Sequence, residues 1–164
     1  MLRAILAAVL GTVVMTLSGT TEMQWVQRPA SVVPGLAAAK LLRPFGIREV
    51  KGRALDILAT WAHWGYGALW GVAFWALLGP AGLPVATAGG LLFFVVWLTE
   101  QVELPVLGLA PWPWKWGLRY NAIDAWHHLA YAAGAGTKGP SSGPFVRASG
   151  GRTRGAGRPG ACPR

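Results

Sequence analysis

Charge and cysteine are scarce in this 164-residue chain. Charged residues make up 13% of it, whereas soluble domains carry about 25%. The single cysteine, Cys162, has no partner within the sequence for a disulfide or a Cys-x-x-Cys pair, which excludes cysteine-based zinc or redox chemistry. The Gly-x-Ser-x-Gly, His-Glu-x-x-His, Walker A and Gly-x-Gly-x-x-Gly motifs are missing too. Because no standard catalytic motif is present, we expect a non-enzymatic protein.

The hydrophobic residues, 53% of the chain, are gathered into four long runs. The runs cover about 4–21, 57–78, 83–104 and 121–136, and the last is short for a membrane span. Ten tryptophans accompany them, and indole side chains favour the membrane–water interface. We therefore predict an all-α, multi-pass membrane protein whose residues 1–136 form a bundle of four transmembrane helices. A secretory signal peptide is an alternative interpretation of the first run, which follows a basic residue and ends in small ones.

Positive charge is concentrated between the runs and gives a net charge of +9. The connection between the first two runs contains "SVVPGLAAAKLL", which predicts either a short helix on the membrane surface, capped by Ser31, or a solvated loop. We expect the bilayer and its anionic head groups as partners, and not nucleic acid, because the basic residues flank apolar runs. The basic residues of this connection are Arg28, Lys40, Arg43, Arg48, Lys51 and Arg53.

Residues 137–164 differ in composition from the rest of the chain. They contain seven Gly, four Pro and six basic residues but no acidic one, which predicts a disordered basic tail. An authentic tail held near anionic lipid is one interpretation. The other is out-of-frame translation that replaces the end of the fourth helix.

Alternating helix direction is expected to place all six acidic residues and all three histidines at one side of the membrane, here called the B face. It is the face where the first and third runs end and the second and fourth begin. Glu100 and Glu103 are three residues apart on one helix face, as are Asp124 and His127, whereas His128 points about 100° away from His127. We therefore prefer His127 as the inward-facing histidine. The candidate residues for binding a proton or ligand are Glu22, His63, Glu100, Glu103, Asp124 and His127.

Three interpretations of this polar cluster remain open. The one that we take as the function is a pocket for a proton or a small polar solute, since ionisable residues within membranes usually face the protein interior. The second is a metal site, in a metal-binding protein or a metal-dependent membrane enzyme, because carboxylate–histidine pairs on facing helices resemble di-metal sites of helical bundles; no other cofactor is expected. The third is a structural or accessory subunit whose ionisable groups lie at head-group depth. The metal candidates are Glu100, Glu103, Asp124 and His127.

Two further features bear on assembly and orientation. Gly67 and Gly71 form a Gly-x-x-x-Gly motif, which allows close approach of another helix within the bundle or in a homodimer; the sequence does not fix the oligomeric state. Eight Lys and Arg residues belong to the B face, against seven on the other side, or one if residues 137–164 are out of frame. The count of eight against one predicts a cytoplasmic B face.

Several short motifs occur in the same order as in a known protein family. They are His63-Trp64-Gly65 early in the second run, "ELPVLGLAP" from Glu103, and a fourth run containing His127, His128 and Tyr131. Over residues 4–136 the chain resembles the YagU-like (DUF1440-type) group of small bacterial inner-membrane proteins. The resemblance implies a helical bundle in the bacterial plasma membrane and supplies no reaction.

Overall fold

The computed structural model describes residues 2–47 and 49–136, and in them it is all-helical, as predicted. The helices are α1 (Leu2–Val26), α2 (Val33–Leu42), α3 (Arg53–Leu78), α4 (Val85–Val106) and α5 (Leu118–Gly136). Short 3-10 turns follow α2 and α3 and precede α5. No strand occurs among these residues. The predictions for the tail, 137–164, lie outside the described residues.

The short helix α2 occupies the connection for which a surface helix and a loop were both considered. It begins at Val33 with Pro34 in its first turn, where the missing proline N–H costs nothing. The N-cap residue is Val32, and no side chain caps the helix. Ser31 was predicted as the cap; its hydroxyl instead accepts a hydrogen bond from the Val33 amide at 3.3 Å.

Two helices are long and apolar enough to cross a membrane, judged by length and composition. They are Ala4–Val26 and Val85–Val106, and the buried core helix of a soluble protein or a signal sequence would meet the same criterion. The helix α5 carries Arg119, Asp124 and two histidines, which lower its hydropathy. The structure therefore contains two candidate spans within its five helices.

Small residues bring α1 close to α3 and α5. A Cβ atom at Gly71 would overlap Ala8, and one at Gly67 would overlap Thr12, so the Gly-x-x-x-Gly motif lies against α1. On the other side of α1, a Cβ at Gly134 would come within 2.9 Å of the Gly11 Cα. None of the three positions leaves room for a methyl group, so both helix pairs depend on glycine.

The order of these contacts shows that neighbouring long helices run antiparallel. Moving along α1 from Ala8 to Thr16, the partner on α3 changes from Gly71 to His63. The core lies in the half of the bundle away from Thr16 and His63, where Tyr131 is 2% exposed and donates a hydrogen bond to the Gly67 carbonyl at 2.6 Å. Polar side chains of the helices lie in the other half of the bundle.

Candidate functional site

Three ionisable side chains meet between α4 and α5. His128 Nε2 lies 2.7 Å from Glu100 Oε2, and the His128 side chain is 4% exposed against 27% for Glu100. Asp124 lies one turn before His128 on α5, and its Oδ1 is 3.7 Å from His128 Nδ1. One ligand atom from each of these three residues lies within 4.8 Å of the others. We call Glu100, Asp124 and His128 the α4–α5 triad.

The Asp124 carboxylate is oriented by two donors from α4. Its Oδ2 accepts hydrogen bonds from Trp97 Nε1 and from Gln101 Nε2, each at 2.9 Å. Trp97 and Gln101 are four residues apart, so they lie on one face of α4. Two bonds to the same oxygen hold the carboxylate in place and leave Oδ1 directed towards the histidine.

The contacts of the two His128 ring nitrogens determine how many protons His128 and Glu100 carry between them. His128 Nδ1 lies 2.9 Å from the backbone carbonyl oxygen of Asp124, and because a carbonyl only accepts, Nδ1 must carry a proton. The 2.7 Å contact between Nε2 and Glu100 Oε2 then requires a second proton. Either the imidazole is charged and donates to the carboxylate, or Glu100 is protonated and donates to Nε2. In both cases one proton is shared between the two residues.

His127, the histidine preferred from the sequence, lies on a different side of α5. Its Nδ1 is 2.9 Å from the Ser18 hydroxyl on α1, and its Nε2 is 4.0 Å from Glu22 Oε2. Arg28 holds Glu22 from the opposite direction, with its Nε donating at 2.8 Å. The structure thus places His127 with Glu22 and Ser18, and it is His128 that faces Glu100.

Glu103 contacts α3 and His63 contacts α1, and neither side chain belongs to the triad. Tyr66 on α3 donates its hydroxyl to Glu103 Oε2 at 2.9 Å. His63 Nε2 lies 3.0 Å from Thr16 Oγ1, and that hydroxyl already donates to the Thr12 carbonyl, so the Nε2 of His63 must be the donor. The metal set proposed from the sequence is therefore altered, with His128 in place of His127 and Glu103 outside it.

The sequence contained a signal for His128 that was not used. Asp124 and His128 are four residues apart, and Asp124 and His127 are three apart. Both spacings place the two residues on one helix face. The choice between them depends on how α5 is rotated against α4. Trp97, Gln101 and Tyr66 were missed because aromatic and amide side chains in an apolar run resemble ordinary packing residues.

The donor set of the α4–α5 triad fits a divalent metal ion. Two carboxylates and one imidazole are ligands used by such ions. The His128 Nδ1–H bonds a backbone carbonyl, which is the arrangement that commonly orients a metal-bound histidine. Trp97 and Gln101 would fix Asp124 in the same way. Glu100, Asp124 and His128 are the residues that would hold the ion.

No family model, no curated protein and no solved structure matches the chain. The resemblance to the YagU-like group rests on short motifs and remains a prediction.

Proposed function

We propose that the protein is an integral membrane protein of the plasma membrane whose α4–α5 triad takes up and releases a proton. The observation that carries this proposal is the 2.7 Å contact between His128 Nε2 and Glu100 Oε2, which forms only with a proton between the two atoms. His128 is buried, whereas the Glu100 side chain is partly exposed, so the carboxylate offers a route by which the proton exchanges with water.

The distribution of polar and apolar side chains supports a membrane location. Large apolar side chains of the long helices face outwards, as Leu69 in the body of α3 and Leu77 near its end do at 65% and 78% exposure. His128, Gln101 and Thr12 are buried instead. Apolar side chains outside and polar ones inside are typical of helices surrounded by lipid. The two candidate spans, α1 and α4, support the same location. If residues 137–164 are out of frame, the distribution of Lys and Arg favours a cytoplasmic B face.

Neighbouring groups offer further proton carriers on the same side of the bundle. His63 contacts Thr16 of α1 in the polar half of the bundle, and Glu103 accepts a hydrogen bond from the Tyr66 hydroxyl. Imidazole, carboxylic acid and phenol groups can all take part in a chain of hydrogen bonds. We infer that the proton passes between the triad and the B face through these side chains.

Nitrogen NMR of the histidine-labelled protein in bicelles tests the shared proton directly. We expect His128 to carry protons on both ring nitrogens, or on Nδ1 alone with a protonated Glu100 carboxyl group visible by infrared spectroscopy. A deprotonated Nε2 beside a charged Glu100 carboxylate at the same pH would refute the proposal. His127→Gln assigns the signals, because it removes the neighbouring imidazole and leaves the triad intact.

Proteoliposomes test whether the site moves protons. A pH gradient should relax faster with the protein than without it, and Glu100→Gln or His128→Gln should abolish the difference. His127→Gln is the matched control, since His127 contacts α1 and not Glu100. Equal fluxes for His128→Gln and the unmodified protein would show that the triad is not on the path.

A divalent metal ion is the second candidate ligand, favoured by the three donor atoms within 4.8 Å. Metal analysis of the purified protein separates the two possibilities. One equivalent of a transition metal that is lost in Asp124→Asn would favour a metal site over a proton site. Asp124 is the informative position because the proton between His128 and Glu100 does not need its side chain.

A further inference from the structure

A pocket lined by both apolar and charged side chains lies between α2 and the start of α3 and shares no residue with the triad. Its volume is about 200 Å³. The apolar side of its lining comes from Leu36 and Leu55, and its charged side from Lys40, Arg43, Glu49 and Lys51. Three cations and one carboxylate give the lining a net positive charge, so the pocket favours an anion.

The cations of this pocket are only weakly engaged by the protein itself. Lys51 contacts Glu49 at 2.9 Å, but both side chains are at least 70% exposed, and exposed pairs of this kind contribute little. Lys40 donates one hydrogen bond to the Leu107 carbonyl, which fixes its ammonium group beside the pocket and leaves two N–H groups for a ligand. Arg43 makes no ion pair within the part of the chain that the structure describes.

Backbone geometry adds to the attraction for an anion. The 26-residue helix α3 begins at Arg53, and no side chain caps its N-terminus. The residues just before that terminus, Glu49 to Lys51, line the pocket. The positive end of the helix dipole therefore lies beside the same space as the three cations, although Asp56 in the first turn of α3 offsets part of it.

The surroundings of the pocket favour a lipid over a free anion. Phe45 is 82% exposed and Leu41 is 56% exposed, and Arg43 stands between them in the chain. An aromatic ring next to cationic groups at the edge of a bundle is suited to the boundary between head groups and acyl chains. A free phosphate ion gains nothing from these apolar side chains, whereas a phospholipid places its acyl chains against them.

We propose that the pocket lined by Lys40, Arg43 and Lys51 binds the phosphate of an anionic phospholipid at the B face. This inference rests on the membrane location proposed above but not on the triad. Because the pocket joins α2, α3 and, through Lys40, the end of α4, the bound lipid would hold these three elements together.

Native mass spectrometry of the full chain in detergent tests the proposal. Phosphatidylglycerol and phosphatidylcholine are added in turn, and we expect one phosphatidylglycerol to stay bound in preference to phosphatidylcholine. Each lost cation should weaken binding about fivefold, so the double variant Arg43→Gln, Lys51→Gln should lose most of the preference. The matched control is Arg53→Gln, an exposed cation at the start of α3 that does not line the pocket.

Each of the other outcomes contradicts a specific part of the proposal. A preference that survives the double variant, or that falls equally in Arg53→Gln, overturns the proposal in favour of delocalised charge. Displacement of the lipid by millimolar inorganic phosphate overturns it in favour of a free anion. Circular dichroism verifies that the variants stay helical. Protein that fails to insert into vesicles refutes the membrane location itself, a result separate from loss of lipid preference.

Discussion

The contact between His128 and Glu100 is expected to stabilise the folded protein by an amount that a double-mutant cycle can measure. The perturbations are His128→Leu, Glu100→Met and the two together, because apolar replacements remove each partner without introducing a new hydrogen bond. The atoms are 2.7 Å apart, a length typical of a charge-assisted hydrogen bond. Such bonds contribute about 1.5–3 kcal/mol, and the partial exposure of Glu100 places the expected coupling energy near the lower end, at about 1.5 kcal/mol.

The assay is reversible unfolding in mixed micelles, followed by circular dichroism. Each single variant should lose stability, and the double variant should lose less than the sum because neither group remains buried without its partner. The control is the same cycle on Glu49 and Lys51, an exposed pair whose coupling should stay below about 1 kcal/mol. Additivity at His128 and Glu100 within about 0.5 kcal/mol would refute the shared proton and the contact that it forms.

Two further predictions concern packing and the end of α4. Gly134→Ala should destabilise the protein by about 1–3 kcal/mol, because the new Cβ would lie 2.9 Å from Gly11 Cα and 3.1 Å from the Leu10 carbonyl oxygen; Gly65→Ala, where nothing lies within 4 Å, should be neutral or stabilise by up to about 1 kcal/mol. Both are measured by the same unfolding assay, and equal effects would contradict the α1–α5 packing. Lys40→Met removes the donor to the Leu107 carbonyl and should increase hydrogen exchange locally in residues 105–110, with Lys115→Met as the control. Unchanged exchange would show that the bond does not hold α2 to the end of α4.

The existence of the long helices could be predicted from hydrophobic runs, but their ends could not. The first run was placed at 4–21, while α1 continues to Val26, and α3 begins at Arg53 instead of 57. Charged residues mark where a helix leaves an apolar environment, yet the backbone hydrogen bonds of a helix do not require apolar side chains. Glu22 thus lies within α1, where its carboxylate pairs with Arg28 beyond the helix end.

Residue spacing identified which polar residues share a helix face, but not which neighbouring helix that face meets. Glu100 and Glu103 were expected to act together. Glu100 contacts α5, whereas Glu103 accepts a hydrogen bond from Tyr66 on α3. Three residues along a helix correspond to a rotation of about 300°, which leaves the two side chains about 60° apart. That angle is enough for Glu100 to face α5 while Glu103 faces α3. Hydrophobic periodicity cannot reveal this difference, because most positions on both sides of the helix are apolar.

The rotation of α5 follows from its glycines and decides the roles of its two histidines. Gly134 must face α1 because it packs directly against Gly11 there, with no space for a side chain between them. Gly134 and His127 are seven residues apart, close to two full turns, so His127 also faces α1 and meets Ser18. His128 is then turned by about 100°, which directs it to Glu100 on α4. The close approach of two glycines in the apolar half of the bundle thereby selects the histidine that shares a proton in the polar half. Substitutions at Gly134 should consequently disturb the His128 signals as well as stability, although Gly134 lies almost two turns away.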